Sequence, residues 1–367
     1  MNFSALKEEL HRLGAECKIP GCAMTVHIGR ETVFEDCVNV RPDDLFWLYS
    51  ATKVFTATMF CRLLEQGRLR LEERVSDYLP EFANLSVMQP DGTLRKATKE
   101  MTLLQLITMC SAMTYDIFHP VIRDAKERTT VGIVREMAKM PLVDDPGETY
   151  LYSLGHDVLA AVMELRTGKR YADLLRDEVI LPLGMRDTTF HPTEAQKARF
   201  APQFQWVGMT NGGAEPCPGT NKFCFSDDYD SGGAGLCSTL RDYILLPEAL
   251  SNGGLGRDGY PLLKPETIEE MRLDRLTAKQ RVGWDERWAR LHSYGYGLGV
   301  RTRLDQTDGS LAPRGEFGWD GAAGAYVLID PSRNLSAFYV QHVLDMGHVF
   351  EVIHPRLRER VYMGLED

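Results

Sequence analysis

Several classes of protein are excluded by what the sequence lacks. No stretch approaches the ~18 uninterrupted apolar residues that a transmembrane helix needs, and residues 1–19 contain no apolar run of the kind found in a secretory signal. Basic residues are in deficit, with 42 Lys and Arg against 52 Asp and Glu and a net charge of −10 at pH 7. A field of that sign repels phosphate backbones and anionic membranes. The sequence therefore predicts a cytoplasmic protein that binds neither nucleic acid nor a membrane.

Disulfide and metal motifs are also missing. The eight cysteines are scattered without a Cys-x-x-Cys pair, and there is no His-Glu-x-x-His. A cytoplasmic chain of 367 residues does not need disulfide bonds for stability, so we interpret the cysteines as free thiols. We interpret His342, His348 and His354, near the C-terminal end, as surface or core residues. We therefore expect neither a metal site nor a cofactor.

The composition is that of a globular protein. Hydrophobic residues make up 44% of the chain and charged residues 26%, which excludes a disordered or collagen-like protein. At ~150 residues per domain, the length corresponds to about two units. One large fold with an inserted lobe fits that length equally well.

Strand patterns lie near both ends of the chain. Ala23–Ile28 alternates apolar and polar residues, and a tight turn joins it to a second extended segment at Glu31–Cys37. Close to the other end, Ala325–Ile329 and Leu335–Gln341 flank a turn rich in polar residues. The alternation at residues 296–300 predicts one further strand.

The residues between these strands favour helices and long loops. A helical pattern begins at Ser50 and ends at Gly67, the residue type expected just beyond a helix end. The stretch from Pro192 to Asp230 is rich in Gly, Pro and aromatic residues without a clear period, and we interpret it as surface loops. Further helices are predicted at Met101–Ala112, Gly155–Arg166, Tyr171–Ile180 and Phe350–Met363.

Together these elements predict an α/β (α+β) fold. Its antiparallel sheet is built from both ends of the chain, with flanking helices and an inserted, mostly helical lobe. The sheet lobe is predicted at about residues 1–49 plus 290–367 and the helical lobe at about 50–289, within a single domain.

The segment Ser50-Ala51-Thr52-Lys53 is a candidate for nucleophilic chemistry. Ser50 stands at the start of a predicted helix, where free backbone N–H groups and the helix dipole favour negative charge. The spacing places Lys53 one turn further on the same face, and Ala57, Phe60 and Leu64 continue that face. Desolvation there favours the neutral amine, which can act as a base. The alternative is a helix-capping serine beside a lysine whose ammonium reaches solvent.

Further motifs distinguish Ser50 from a chance match such as the Ser-x-x-Lys that begins at Ser4. Pro146–Asp157 leads into a helix, the glycine-rich segment Ser231–Thr239 follows, and Phe317–Gly324 enters an apolar strand. In this order the motifs resemble those of the serine β-lactamase-like hydrolases. That family comprises class C β-lactamases, D-Ala-D-Ala carboxypeptidases and related carboxylesterases.

The resemblance covers about residues 20–341 and implies a β-lactamase/transpeptidase-like fold. The family's nucleophile corresponds to Ser50, its general base to Lys53, and the tyrosine of its Tyr-x-Asn motif to Tyr152. Its third motif is Lys/His-Thr/Ser-Gly in the lactamases. Its oxyanion hole uses the backbone N–H groups of the nucleophile and of a residue on the nearby strand. The third motif corresponds to Trp319-Asp320-Gly321. The oxyanion hole corresponds to the backbone N–H groups of Ser50 and Ala322.

Two positions depart from the lactamase pattern. Leu154 replaces the asparagine of Tyr-x-Asn, whose amide binds the substrate in the lactamases. Trp319 replaces the cation of the third motif and acidic Asp320 follows it, so we expect weak binding of substrate carboxylates. The related carboxylesterases resemble this chain more closely, because a Trp-x-Gly third motif occurs among them. We interpret His156 and Asp157 as capping residues in the first turn of a helix, with pocket-lining residues as the alternative.

The sequence therefore predicts a metal-free serine hydrolase that cleaves an ester or amide of a small substrate through an acyl-enzyme. The absence of Gly-x-Ser-x-Gly argues against an α/β-hydrolase. One alternative is a true β-lactamase or D-amino-acid peptidase. Another is a non-catalytic, ligand-binding or assembly-forming member of the family, which the intact Ser50, Lys53 and Tyr152 disfavour. The oligomeric state stays open.

Overall fold

A computed structural model describes residues 1–366 as a mixed α/β structure. Within these residues, fourteen strands and thirteen α-helices alternate irregularly. The strands are β1 (Cys22–Ile28), β2 (Glu31–Val38), β3 (Phe46–Trp47), β4 (Ser86–Met88), β5 (Leu94–Lys96), β6 (Phe204–Gly208), β7 (Gly213–Pro216), β8 (Cys237–Ser238), β9 (Tyr294–Tyr296), β10 (Arg301–Arg303), β11 (Phe317–Gly318), β12 (Tyr326–Asp330), β13 (Leu335–Gln341) and β14 (Val343–Leu344).

The helices lie mainly between residues 52 and 287, with one at each end of the chain. They are α1 (Ser4–Glu16), α2 (Thr52–Glu65), α3 (Leu103–Ile107), α4 (Pro120–Arg123), α5 (Thr130–Met137), α6 (Gly155–Thr167), α7 (Tyr171–Leu175), α8 (Glu194–Lys197), α9 (Leu240–Tyr243), α10 (Leu245–Ser251), α11 (Pro265–Arg272), α12 (Ala278–Arg287) and α13 (His354–Glu366). No helix among residues 1–366 is both long and apolar enough to span a membrane.

The main sheet confirms the predicted architecture. Its seven strands lie in the order β2-β1-β13-β12-β11-β10-β9, and each neighbouring pair is antiparallel. The N-terminal strand β1 pairs with the C-terminal strand β13, with Val26 opposite Ala337. The helices α1 and α13 pack together with this pair through buried residues such as Leu10 and Leu357. Both ends of the chain therefore build one sheet and one part of its core.

Three predicted elements differ from the structure. The alternation at residues 296–300 is not one strand, because β9 ends at Tyr296 and β10 begins at Arg301. A tight turn joins them: the Gly297 N–H donates to the Val300 carbonyl over 2.8 Å, and Gly299 adopts a positive φ of 80°. Tyr296, Leu298 and Val300 are buried although they flank and form this turn. Their alternate spacing therefore resembles that of a strand.

The predicted helix Met101–Ala112 is also shorter than expected. Only Leu103–Ile107 is α-helical, and Met109 and Ala112 adopt left-handed φ values of 57° and 60°. The stretch from Pro192 to Asp230 contains α8, β6 and β7 in addition to loops. The N-terminal helix α1 has no counterpart among the predicted elements. Two predicted helices, at residues 171–180 and 350–363, each contain a π-helical turn.

Candidate active site

Ser50 lies in a 3-10 turn that leads directly into α2. The preceding residue, Tyr49, has a left-handed φ of 48°, an unfavourable conformation for a non-glycine residue. Two hydrogen bonds hold this turn in place. The Tyr49 hydroxyl donates to Gln203 Oε1 over 2.9 Å, and the Tyr243 hydroxyl donates to the Ala51 carbonyl over 2.8 Å. The strained turn is thus fixed by buried long-range contacts.

Lys53 points inward, as the apolar face of its helix predicts. Its side chain is fully buried, and Nζ donates to Ser50 Oγ over 3.3 Å and to the Gly233 carbonyl over 2.8 Å. An amine in contact with a serine hydroxyl is the arrangement in which the amine can take the hydroxyl proton. The structure thus brings Ser50 and Lys53 together.

The glycine-rich segment approaches Lys53 so closely that side chains do not fit. A Cβ at Gly232 would lie 2.4 Å from the His156 carbonyl oxygen. A Cβ at Gly233 would lie 2.7 Å from Asp157 Oδ2 and 3.3 Å from Lys53 Nζ. Glycine is required here because the backbone itself contacts the candidate base.

Asp157 belongs to this cluster. It stands in the first turn of α6, but the N-cap residue of that helix is Leu154 and no described side chain makes a capping hydrogen bond there. Its Oδ1 accepts hydrogen bonds from the Tyr229 hydroxyl at 2.8 Å and from Ser231 Oγ at 2.6 Å. Burial raises the pKa of Asp157, whereas Ser231, Lys53 and Tyr229 act in the opposite direction. Burial also lowers the pKa of the neighbouring His156 well below its usual range, and Lys53 adds to that shift. The lowered pKa of His156 means that this ring adds no second positive charge beside the amine of Lys53.

Tyr152 lies over the same amine. Lys53 Nζ is 4.7 Å from the centre of the Tyr152 ring. Trp319 stacks on that ring with 5.8 Å between ring centres, and its indole N–H donates to the Tyr152 hydroxyl over 3.4 Å. Trp319 therefore contacts the tyrosine, at the third-motif position where a lactamase carries a cation.

A second tyrosine at the site was missed by sequence reasoning. Tyr115 lies 5.1 Å from Tyr152 between ring centres, and Lys53 Nζ is 5.7 Å from its ring centre. Burial raises the pKa of the Tyr115 hydroxyl well above its usual value; Tyr152 acts in the same direction, and the side chain of Ser50 acts against it. Tyr115 stands outside every motif, so no pattern in the sequence distinguishes it.

The candidate oxyanion hole lies at the tip of the hairpin between β11 and β12. Gly321 and Gly324 form its turn, in which the Gly324 N–H donates to the Gly321 carbonyl over 2.8 Å. A Cβ at Gly321 would lie 2.3 Å from the Leu48 carbonyl oxygen, so glycine lets the tip approach the chain just before Ser50. Within residues 1–366, the Ala322 N–H has no hydrogen-bond partner.

Asp320 and Leu154, which the sequence predicts as substrate contacts, are engaged elsewhere: Asp320 pairs with two arginines, and Leu154 packs in the core. Asp320 Oδ1 accepts from Arg301 Nη1 at 2.8 Å, and its Oδ2 accepts from Arg290 Nη2 at 3.3 Å. Burial acts to raise the pKa of Asp320, but Arg301, His354 and Arg290 together hold it below its usual value. The two arginines therefore compensate the repulsion that the Asp320 carboxylate would exert on a substrate carboxylate. Leu154 is buried in the core, outside the set of described residues that line the cleft.

A cleft of about 720 Å³ opens onto Ser50. Its wall contains aromatic side chains, charged side chains of both signs, and the hairpin-tip residues Gly321 and Ala322. The aromatic lining residues are Tyr115, Tyr152, Phe223, Trp288, Trp319 and Phe350. The charged ones are Lys222, Glu286, Arg287, Arg290, Asp320, Asp345 and Glu351.

The cysteines and histidines form no metal site among the described residues. Within residues 1–366, no three His, Cys, Asp or Glu side chains are grouped so that they could hold a metal ion. The eight cysteines are free thiols, as predicted. His342 and His354 are buried core residues and His348 is exposed, which also agrees with the prediction.

Comparison with known protein families identifies the family of this chain. The family model described as beta-lactamase matches residues 6–359. The chain belongs to the beta-lactamase family. This membership covers nearly the whole described chain, including Ser50, Lys53, Tyr152 and the third-motif hairpin.

Members of the beta-lactamase family that resemble this chain include named esterases. A lovastatin esterase from Penicillium rubens is 28% identical over 359 residues, covering 87% of this chain and 85% of that protein. Esterase EstB from Burkholderia gladioli is 29% identical over 336 residues, covering 84% and 80%. The solved structure of EstCE1, described as a hydrolase with promiscuous acyltransferase activity, superposes with a TM-score of 0.81. It is 20% identical and covers 97% of both chains, which shows a shared fold.

Proposed function

We propose that this beta-lactamase family member is a serine hydrolase that cleaves an ester or amide of a small substrate through an acyl-enzyme. The observation that carries the proposal is the contact of Lys53 Nζ with Ser50 Oγ at 3.3 Å, in a buried setting at the base of an open cleft. A serine hydroxyl is a poor nucleophile at neutral pH and needs such a base.

The first half of the reaction forms the acyl-enzyme. Neutral Lys53 takes the proton of Ser50 while Oγ attacks the substrate carbonyl carbon. The carbonyl oxygen gains negative charge, and the backbone N–H groups of Ser50 and Ala322 are placed to donate to it. As the intermediate collapses, Tyr152 gives a proton to the leaving group and recovers one from the ammonium of Lys53. The leaving group departs as an alcohol or amine.

The second half reverses these proton movements. Water enters in place of the leaving group, and the Lys53–Tyr152 pair takes one of its protons while its oxygen attacks the acyl carbon. The second tetrahedral intermediate releases the acid, and Ser50 Oγ regains its proton. Asp157 lies near enough to offset the positive charge that Lys53 carries during both halves. No metal is needed for either half.

The lining of the cleft supports a small substrate with an apolar part. Tyr115, Trp288 and Trp319 offer broad ring faces, and a cleft of about 720 Å³ accommodates a molecule of drug-like size. Leu154 does not provide the amide that binds acyl-amide groups in the lactamases. These features favour ester substrates over β-lactams and D-amino-acid peptides.

Transfer of the acyl group to an alcohol is a second candidate function. It needs only an alcohol in the place of water during the second half of the reaction. The aromatic walls support this alternative, since they favour an apolar alcohol over water near the acyl group. The similarity to EstCE1, whose description includes acyltransferase activity, adds to that support.

Covalent labelling tests the proposal. A fluorophosphonate probe is expected to label the wild type once per chain, at Ser50, and Ser50→Ala is expected to abolish both labelling and turnover of short-chain p-nitrophenyl esters. Ser4→Ala is a matched control, because Ser4 begins the other Ser-x-x-Lys and is exposed on α1. Labelling that persists in Ser50→Ala, or is lost in Ser4→Ala, would contradict the proposal.

A further inference from the structure

The tip that carries the candidate oxyanion donor has almost no side chains of its own. Residues 321–325 read Gly-Ala-Ala-Gly-Ala, between Trp319-Asp320 and β12. Asp320 bridges to Tyr326 across the hairpin, and the Val327 N–H donates to the Trp319 carbonyl over 3.1 Å. Methyl groups and glycines give the tip little packing area, so its position depends on the groups that hold it from outside.

Arg301 joins the two sides of this hairpin. It is fully buried on β10; its Nη1 donates to Asp320 Oδ1 over 2.8 Å, and its Nη2 donates to the Val327 carbonyl over 3.0 Å. Gly318 makes this possible, because a Cβ there would lie 2.1 Å from the same Val327 oxygen. One rigid guanidinium thus holds the strand before the tip and the strand after it.

Two other groups hold the tip from the same side. His354 Nε2 lies 3.1 Å from the Gly324 carbonyl oxygen. Arg290 Nη2 donates to Oδ2 of Asp320, the carboxylate oxygen that Arg301 does not contact. The Arg290 guanidinium lies between the rings of Trp288 and Phe350, at 5.5 and 5.3 Å from their centres. Arg290 lines the substrate cleft, whereas Arg301 does not. Arg301 is therefore the one of these two arginines that can act on the tip without touching a substrate.

We propose that Arg301 is a positioning residue for the acyl-transfer chemistry: by fixing Asp320 and Val327 it holds the Ala322 N–H in place above Ser50. This role rests on the proposed function, since it concerns the same reaction. Oxyanion stabilisation depends on donors that are already in place when charge develops. A displacement of about 1 Å is enough to reduce the rate of a positioned reaction by about 100-fold.

The critical variant is Arg301→Lys, which keeps the charge and loses the two-pronged geometry. A lysine ammonium is a single point charge, so it cannot hold Asp320 Oδ1 and the Val327 carbonyl as a planar guanidinium does. We expect kcat on a short-chain p-nitrophenyl ester to fall about 10- to 100-fold. KM should stay within about threefold, because the ground-state carbonyl makes weaker use of the oxyanion hole.

Arg303→Lys is the matched control. Arg303 is also fully buried on β10, two residues further along, and its partner is Asp308 rather than the hairpin tip. We expect this variant to keep the kcat of the wild type. Affinity for phenylboronic acid, which forms a tetrahedral adduct on a nucleophilic serine, should fall in Arg301→Lys and not in Arg303→Lys. A loss of packing alone would affect both variants alike.

Asp320→Asn keeps the proposal testable if Arg301→Lys does not fold, which thermal unfolding shows directly. An amide keeps the shape of the side chain and one acceptor oxygen, so the variant should fold. Because it lacks the negative charge, it binds the Arg301 guanidinium more weakly, and we expect the same selective loss of kcat. Wild-type kcat in either folded variant, equal losses in Arg301→Lys and Arg303→Lys, or an effect on KM alone would overturn the positioning role. An inactive wild type that the fluorophosphonate does not label would overturn the proposed function as well.

Discussion

The two halves of the candidate site are held in place in different ways. Ser50 lies in the 3-10 turn before α2 and Lys53 in the first turn of α2, so local helical geometry brings them together. The Ala322 tip lies about 270 residues further along the chain, and buried partners such as Arg301 and His354 hold it. The contact between nucleophile and base is thus set by local spacing in the sequence, although long-range hydrogen bonds hold the turn that carries Ser50. The oxyanion donor at the tip is positioned by tertiary structure alone.

This difference explains what could be predicted from the sequence. A three-residue spacing is visible in the printed chain, and the paired strands at both ends follow from their alternation. Tyr152 and Trp319 could be found only through the family resemblance. The stack and hydrogen bond between them depend on two segments 167 residues apart, which no local pattern encodes.

Tyr115 and Asp157 show where sequence reasoning ends. Tyr115 lies beside Lys53 and Tyr152, on chain that follows two left-handed residues at positions 109 and 112. The apolar pattern there predicted a longer helix instead. Asp157 stands in the first turn of α6, a position that also suits a cap, and only the approach of Gly233 to both side chains shows that it lies near Lys53. In both cases the function depends on long-range packing.

The largest effect is expected on the local half of the site. Lys53→Arg keeps the positive charge, but a guanidinium does not give up its proton in the usable pH range. We expect kcat/KM for p-nitrophenyl acetate to fall by about 10²- to 10⁴-fold, the range that general base catalysis contributes. Lys7→Arg, in the exposed Ser-x-x-Lys of α1, is the control and should leave kcat/KM unchanged. Substantial activity of Lys53→Arg would mean that another group is the base.

The two tyrosines provide the next comparison. Tyr152→Phe removes the hydroxyl that accepts from Trp319, and we expect kcat to fall about 100-fold or more because proton delivery to the leaving group is lost. Tyr115→Phe keeps the ring beside Lys53, so a loss of about tenfold or less is expected. The assay is kcat for esters with good and poor leaving groups. The loss of kcat in Tyr152→Phe should be greater for the poor leaving group. A greater loss in Tyr115→Phe than in Tyr152→Phe would assign proton delivery to Tyr115 instead.

The contact between the two halves can be broken with one methyl group. A Cβ at Gly321 would lie 2.3 Å from the Leu48 carbonyl oxygen, a backbone atom that cannot move without shifting the turn that holds Ser50. We expect Gly321→Ala to lower kcat about 10- to 100-fold, since a separation of about 1 Å suffices.

Gly219→Ala is the control for this change, because a Cβ at Gly219 meets no atom within 4 Å and the residue needs no positive φ. Its kcat and its thermal unfolding midpoint should equal those of the wild type. If Gly321→Ala were as active as Gly219→Ala, the close approach of the tip to the nucleophile would not matter for catalysis.

The smallest effect is expected for Trp319→Phe, which sharpens the comparison where the third motif contacts Tyr152. Phenylalanine keeps a ring to stack on Tyr152 and removes the indole N–H that donates over 3.4 Å. The net worth of such a hydrogen bond is about 0.5–1.5 kcal/mol, which corresponds to about a 2- to 10-fold change in kcat. Trp319→Ala also removes the stacked ring and should lose more than Trp319→Phe. Equal losses of kcat in both variants would assign the whole contribution of Trp319 to the hydrogen bond. If Trp319→Phe kept the kcat of the wild type, the contribution would belong to the ring.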